Sequence, residues 1–197
     1  MRVRRRRRPF YAPTAFPAIV ELQARWQEIR DEAIPTMTAM GRELRRPPDE
    51  SWILPLLPEP EDRGAFADAV CARARAAMPV TAALAGSIPY LVAYAISKMV
   101  AGKHVTSHSH WNPFLTAIVC LQDGGGSHLL VDGARHEYRD GNLVIFDYTL
   151  PHEARNEGTH DRYVLLLGID KRLVRNSDTS SATTVASSLL DSSTSSV

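Results

Sequence analysis

The sequence is poor in cysteine and has no long apolar run. Two cysteines, Cys71 and Cys120, occur among 197 residues, too few for a disulfide scaffold or a cysteine-based zinc ribbon. The longest apolar stretch, residues 82–96, is interrupted by glycine, serine and proline and is too short to span a bilayer. An arginine cluster followed by Pro9 is unlike the apolar core of a signal peptide. We therefore expect a soluble, cytoplasmic protein that does not enter a membrane.

Basic charge is scarce outside the first eight residues. Arg2 and the arginines at positions 4–8 supply six positive charges, and the net charge of the whole chain is only +1. Without these six, 17 basic side chains face 22 acidic ones, a charge of −5. Nucleic-acid binding needs basic residues spread over a folded face, so no nucleic-acid partner is expected. The arginine run itself is interpreted as a solvated tail.

The length and composition predict one globular domain with a tail at each end. A chain of 197 residues that is 44% hydrophobic and 23% charged is typical of a single domain. The domain is expected to span residues 9–175, after a basic tail at residues 1–8. Residues 176–197 contain 13 serines or threonines and are predicted to be disordered. Nothing in the sequence specifies an oligomeric state.

Two helices are predicted in the first half of the chain. Residues 17–33 carry an apolar stripe at helical spacing that includes Leu22, Trp26 and Ile29. Residues 62–78 form a second, alanine-rich segment. Between them, the prolines of residues 47–60 are too dense for a helix, so this segment is interpreted as a loop anchored on the core.

The second half is predicted to be β-structure. After Gly86, short apolar or alternating runs are separated by glycine-containing turns, a spacing typical of the antiparallel strands of a sandwich or barrel. The runs are residues 91–99, 104–110, 115–121, 128–131, 143–147 and 163–169. The predicted class is therefore mainly β with flanking helices.

All seven histidines fall within this β region. His104, His108 and His110 alternate, so on one strand they would share a face. His152 follows His108 by 44 residues, just after a predicted strand. A jelly roll typically binds a metal at the open end of its barrel. The ligands are a histidine on one strand, a neighbouring residue two positions further on, and a second histidine that is distant in the sequence. In the facial triad of Fe(II) oxygenases the neighbour is a carboxylate.

Here that neighbour is His110, so the sequence leaves open a three-histidine site or a site with only two protein ligands. The other histidines are interpreted as ordinary structural or surface residues; they are His104, His128, His136 and His160.

An arginine lies ten residues after His152, at the start of an apolar run. Arg162 pointing into a barrel would need an anion, because an unpaired buried guanidinium is costly. Its planar fork suits a carboxylate, and the hydroxyl of Ser97 could bind the same group. Together with the two histidines, Arg162 and Ser97 fit a chelating dicarboxylic co-substrate.

These residues resemble the aspartyl/asparaginyl β-hydroxylase family of dioxygenases, over about residues 9–169. The resembling segments are residues 9–11 (PFY), 97–108 (SKMVAGKHVTSH), 141–147 (GNLVIFD) and 152–156 (HEARN), with Arg162 closing the set. The resemblance implies a double-stranded β-helix, a jelly roll of the cupin type.

The resemblance also implies a chemistry: a dioxygenase that uses Fe(II), 2-oxoglutarate as co-substrate and O2. His108 and His152 match the two iron ligands of the family. Arg162 and Ser97 match the residues that hold the distal carboxylate of 2-oxoglutarate. The family lacks a ligating carboxylate, as this chain does, and Asp147 is interpreted as structural.

Two departures from the family concern the substrate. The family has glycine where this chain has His110, so an extra ligand or substrate contact is possible. The run at residues 114–120 is uncharged, whereas the family carries arginine and histidine there. This favours a small molecule, such as an amino acid or natural-product intermediate, over an acidic aspartyl substrate. The near carboxylate of 2-oxoglutarate also lacks its usual partner, and His110 or Gln122 could bind it instead.

The sequence therefore predicts an Fe(II)- and 2-oxoglutarate-dependent oxygenase that hydroxylates or otherwise oxidises an unactivated C–H bond. One alternative is a three-histidine iron dioxygenase that does not use 2-oxoglutarate. Another is a non-catalytic jelly-roll module that only binds a ligand.

Overall fold

The computed structural model describes residues 9–62, 64–111 and 114–172. The predicted basic tail at residues 1–8 and the Ser/Thr-rich tail at residues 176–197 lie outside these ranges. In the part of the chain that is described, no helix combines the length and apolarity needed to cross a membrane.

Within the described residues, four α-helices precede most of the strands. They are α1 (Pro17–Ala24), α2 (Trp26–Glu43), α3 (Ala65–Ala77) and α4 (Pro79–Gly86), with short 3-10 turns at Pro13–Ala15 and Pro60–Asp62. The predicted single helix over residues 17–33 is wrong in two respects. It breaks at Arg25, whose backbone (φ −105°, ψ 26°) leaves the helical region. It then continues to Glu43 through Pro35, because its apolar stripe extends through the buried Met37 and Met40.

The described ranges contain nine strands, numbered here in chain order. They are β1 (Trp52–Leu57), β2 (Leu91–Met99), β3 (His104–His108), β4 (Phe114–Gln122), β5 (Ser127–Val131), β6 (Ala134–Glu137), β7 (Leu143–Asp147), β8 (His152–Asn156) and β9 (Arg162–Asp170). All six predicted runs are strands, although the second ends at His108 rather than at residue 110. The strands β1, β6 and β8 were not predicted.

The strands form two antiparallel sheets with the order of a jelly roll. One sheet runs β1-β2-β9-β4-β7 and the other β3-β8-β5-β6. Apart from the β5–β6 hairpin, consecutive strands from β2 to β9 alternate between the sheets. The protein is therefore mainly β, a double-stranded β-helix of eight strands with flanking helices.

The segment predicted as a loop at residues 47–60 contains β1, which corrects that expectation. Closely spaced prolines disfavour a helix but are tolerated on an edge strand, where one side needs no ladder hydrogen bonds. β1 is such an edge, and Pro55 lies within it opposite Ala95. Its alternate residues Leu54 and Leu56 are fully buried and attach the strand to the core.

The five-stranded sheet separates two apolar cores. On β9, Leu165 and Leu167 point towards the helices and join the larger core. The alternate residues, such as Val164, point between the two sheets and join the smaller core with Ile118 and Phe146. Period-two alternation thus gives each strand one face towards the helices and one towards the jelly-roll interior. The candidate site lies in that interior.

The turn before β7 connects the helices to the jelly roll. Gly141 has a φ of +77°, and a Cβ at this position would lie 2.5 Å from Trp26 Nε1. The amide of Gln23 donates to the Gly141 carbonyl at 2.7 Å. Glycine is needed here both for its backbone conformation and for the close approach of the indole.

Replacing Gly141 with alanine is expected to destabilise the protein more than the same change at Gly133. Gly133 has a similar φ of +79° but no atom near its missing Cβ, so Gly133→Ala should cost only the left-handed strain, about 1–2 kcal/mol. Gly141→Ala should add about 1–3 kcal/mol for overpacking against Trp26. Urea unfolding of both variants measures the difference, and equal losses would contradict the packing role.

Candidate metal and co-substrate site

Three histidines meet at the open end of the jelly roll. His108, the last residue of β3, is paired directly with His152, the first residue of β8. His110 follows β3, and its backbone N–H donates to the Tyr148 carbonyl at 3.2 Å. One ligand atom from each of the three rings lies within 4.8 Å of the others. The cluster therefore joins residues from both sides of the interior.

The expectation that His104 shares this face is wrong. The ladder between β3 and β8 shifts register between Val105 and His108, so the irregularity turns Val105 to the inner face with His108. His104 lies on the outer face, where its Nε2 is 3.5 Å from Glu153 Oε2. Of the other histidines, His128 lies 3.7 Å from Glu157 on the outside of the four-stranded sheet.

Backbone carbonyls fix the tautomers of two histidines. The Nδ1–H of His108 donates to Thr106 at 2.9 Å, and that of His152 donates to Leu150 at 2.8 Å. Each ring therefore presents the lone pair of its Nε2, the usual arrangement of a metal-ligating histidine.

Burial keeps the inner histidines neutral. It lowers the pKa of His152 to about 4, an effect that the hydrogen bond to Leu150 opposes and the neighbouring His108 and His110 reinforce. Burial and the nearby His108 also lower the pKa of His110. Neutral imidazoles at pH 7 are the form that binds metal ions.

His110 is held in the cluster by an aromatic stack. Its ring lies on the Tyr148 ring with a centroid distance of 3.8 Å and an interplanar angle of 6°. Its Nε2 is buried and has no hydrogen-bond partner among the described residues. A buried nitrogen without a partner is costly, and a metal ion in the cluster would satisfy it.

Arg162 lies in the same interior, at the start of β9. Its side chain is only 5% exposed, and Nε and Nη1 have no hydrogen-bond partner in the described part of the chain. The guanidinium lies over the Tyr138 ring, 4.6 Å from its centroid. Ser97 on the adjacent β2 lines the same cavity. A desolvated cation with free N–H groups is suited to bind an anion.

One cavity of about 510 Å³ contains these groups. Its wall includes His108, His152, Arg162 and Ser97, so the structure brings together the four residues predicted to bind metal and co-substrate. The remaining lining is mostly apolar and includes Phe146 and Leu129. A volume of this size is typical of small-molecule sites.

Two residues considered from the sequence lie outside the cavity wall. The amide of Gln122 donates to the Asp161 carbonyl at 3.0 Å. Asp147 accepts hydrogen bonds from Thr149 and lies 2.9 Å from Lys171 Nζ, in keeping with a structural role.

Cys120 is buried in the smaller core. Burial raises the pKa of its thiol to about 12, so this thiol stays protonated.

Sequence reasoning missed the two tyrosines that support the site. Tyr148 follows the FD pair of β7, and Tyr138 follows β6 in a segment read only as turns. The aromatic residue next to a predicted FD strand end was the one available signal for Tyr148.

The Asp147 carboxylate should make folding stability depend on pH. Burial alone would raise its pKa, but the hydrogen bonds from Lys171 and Thr149 prevail and lower it. Its contribution is therefore present above the unfolded-state pKa of about 3.9 and is lost as the pH falls through the folded-state value.

Asp147→Asn should destabilise the protein by about 1 kcal/mol at pH 7. Urea unfolding of both proteins should show this difference shrinking as the pH falls below 4. A difference that stays constant down to pH 2 would contradict the role of the charge.

The strand order and the histidine cluster define a jelly-roll protein with a candidate metal centre. Solved structures with a similar fold include a cupin domain of an XRE family transcriptional regulator from Enterobacter cloacae (15% identity, 61% of this chain and 96% of that chain, TM-score 0.42). Another is the Schizosaccharomyces pombe Cnp3 cupin domain (14% identity, 46% of this chain and 64% of that chain, TM-score 0.38). A third is a predicted oxalate decarboxylase from Thermotoga maritima (20% identity, 41% of this chain and 67% of that chain, TM-score 0.35).

The family profile of aspartyl/asparaginyl β-hydroxylase matches residues 23–172. The chain therefore belongs to the aspartyl/asparaginyl β-hydroxylase family, which confirms the resemblance read from its motifs. No curated protein sequence matches the chain. Family and site together indicate an enzyme of the oxygenase type, with a cluster suited to a metal ion.

Proposed function

We propose that the protein is an Fe(II)- and 2-oxoglutarate-dependent oxygenase that hydroxylates an unactivated C–H bond of a small molecule. The observation that carries the proposal is the buried Arg162 guanidinium, whose Nε and Nη1 have no hydrogen-bond partner in the described part of the chain, in the same cavity as the histidine cluster. A metal site alone does not require this cation, whereas a chelating dicarboxylate needs both.

His108 and His152 are the proposed iron ligands. Their Nδ1–H groups are used by backbone carbonyls, so the Nε2 atoms are available, and imidazole nitrogen suits iron. When bound, iron would supply the oxidising power: O2 and 2-oxoglutarate are converted to succinate and CO2 while one oxygen atom enters the substrate C–H bond.

The protein's own contribution is to bind and orient. Arg162 offers its fork to the distal carboxylate of 2-oxoglutarate, and the hydroxyl of Ser97 can bind the same group. Tyr138, beneath the guanidinium, restricts its position. The apolar walls exclude water, which strengthens these charged contacts.

His110 is proposed as the third ligand, in place of the carboxylate of a facial triad. Its orphaned Nε2 and its stack on Tyr148 support this role. Three histidines on one face would leave open positions for the co-substrate. The same cluster favours a second candidate, a three-histidine dioxygenase without 2-oxoglutarate, but that function leaves Arg162 without an anion.

The test is the visible spectrum under anaerobic conditions. Adding Fe(II) and then 2-oxoglutarate to the wild type should produce a metal-to-ligand charge-transfer band. Succinate, which lacks the 2-oxo group, is the matched ligand and should give none. Admitting O2 should then yield succinate from 2-oxoglutarate.

Iron-loaded wild type without the band would exclude the use of 2-oxoglutarate and favour the three-histidine dioxygenase. Failure to bind iron at all would favour the ligand-binding module. Weaker iron binding in His110→Ala would support His110 as a ligand, whereas unchanged binding would reduce the site to two protein ligands.

A further inference from the structure

β1 has a second apolar face, the one that points away from the helices, whereas that face of an edge strand is usually polar. Leu54 and Leu56 point to the helices and are buried. The alternate residues Ile53, Pro55 and Leu57 line the cavity that contains His108 and His152. An antiparallel sheet normally pairs a buried apolar face with a solvated polar one. Both faces of β1 are apolar, so the second face is suited to contact an apolar molecule.

Small residues connect this face to the interior. Ala93 and Ala95 on β2 and Gly168 on β9 all line the cavity, and Ala93 is paired with Gly168. A Cβ on Gly168 would already contact Ala93 Cβ at 3.4 Å. Their lack of bulk leaves space along the sheet, between the site around Arg162 and the apolar face of β1.

Exposed apolar side chains cluster around the same opening. Ile53 is 56% exposed and Val105 is 40% exposed, and both line the cavity. Phe66, 78% exposed, lines an adjoining groove that shares Ile53, Pro55 and Ala67 with the cavity. Among the described residues, the other exposed large apolar side chains are Trp111, next in the chain to His110, and Tyr11 and Val20. Large apolar side chains exposed together mark a binding surface.

The charges of the cavity disfavour an acidic substrate. Within the described lining, the one arginine or lysine is Arg162, which the proposed co-substrate occupies. The acidic residue Asp62 also lines the cavity.

We infer that the substrate has an extended hydrocarbon body and a neutral or cationic polar group, and that it lies along β1 with its reacting carbon towards the histidines. This inference rests on the proposed function, because it places the substrate beside the same metal cluster. It disfavours an aspartyl side chain as substrate, since within the described lining that carboxylate would meet Asp62 and no lysine or arginine other than Arg162.

The test compares three probes by calorimetry on the anaerobic protein loaded with Fe(II) and saturating 2-oxoglutarate. They are n-octylammonium, n-octanoate and N-acetylaspartate amide. n-Octylammonium should bind with one-to-one stoichiometry and about two- to fivefold more tightly than n-octanoate, the difference that one exposed charge pair with Asp62 can give. N-Acetylaspartate amide should not bind measurably.

Two variants locate the binding surface. Ala95→Leu would fill the passage and should weaken n-octylammonium binding by at least about tenfold. Phe66→Ser removes an exposed ring, so folding is not at risk, and should weaken binding by about three- to tenfold. Val20→Ser, an exposed apolar residue on α1 away from the cavity, is the control and should leave binding unchanged.

Each failure has a distinct cause. If the charge-transfer band of the iron–2-oxoglutarate complex forms but n-octylammonium does not bind, or n-octanoate or N-acetylaspartate amide binds better, the substrate inference is wrong and the proposed function stands. Equal effects of Phe66→Ser and Val20→Ser would also overturn it. Absence of the band in the wild type overturns the proposed function itself.

Discussion

Substituting alanine for His152 is expected to weaken Fe(II) or Co(II) binding by more than about 100-fold, since loss of a mere supporting contact to a ligand already costs about 10–100-fold. His152 is the most buried of the three clustered histidines, and its neutral ring presents Nε2 to the interior. The visible absorption of the Co(II) protein and a calorimetric titration both measure the loss.

His104→Ala is the matched control for His152→Ala. Both residues lie on the β3–β8 pair, but His104 points to the outer face beside Glu153. Its removal should leave the metal affinity within about twofold of wild type, as for a surface change away from the site. Comparable losses in the two variants would place the metal elsewhere.

Replacing Arg162 with methionine should have opposite effects on binding and on stability. Loss of a buried partner of a carboxylate costs about 2–5 kcal/mol, so affinity for 2-oxoglutarate should fall by about 30-fold to a few thousand-fold. The ligand-free protein should become more stable by about 1 kcal/mol or more, because an apolar side chain replaces a buried guanidinium whose Nε and Nη1 have no partner among the described residues. That gain corresponds to a rise in Tm of about 2–4 °C.

Thermal unfolding with and without 2-oxoglutarate measures both effects. The wild type should gain Tm when 2-oxoglutarate is added to the metal-loaded protein, and Arg162→Met should not. Arg162→Lys keeps the charge but not the planar fork, and it should recover only part of the affinity. A drop in the Tm of ligand-free Arg162→Met would instead assign Arg162 a structural role.

Most strands with a strong apolar pattern were predictable, whereas the proline-containing β1 and the polar β6 and β8 were not. The limits of β2 and β7 match the sequence prediction because both contain dense β-branched or apolar residues. β6 and β8 are mostly charged or polar, as in the HEARN sequence of β8. They are strands because β5 pairs with both of them, and such long-range pairing leaves no local signal.

The metal cluster was predicted only in part because one irregularity changes the face of a strand. Regular alternation would put His104 and His108 together. The register shift after Val105 separates them and brings Val105 inward. No residue in the segment 104–108 marks this shift. The position of His110 likewise depends on Tyr148, which follows β7 and is far from His110 in the sequence, so that the two residues meet only in the folded protein.

The cluster also joins the two sheets. His152 belongs to the four-stranded sheet, whereas His110 is held by the backbone and ring of Tyr148, at the end of a strand of the five-stranded sheet. A metal ion bound by both would act as a cross-link across the mouth of the sandwich. Binding energy then becomes folding energy, so a chelator should loosen the architecture as well as stop the chemistry. The supply of metal would therefore set the folding stability of this protein as well as its proposed activity.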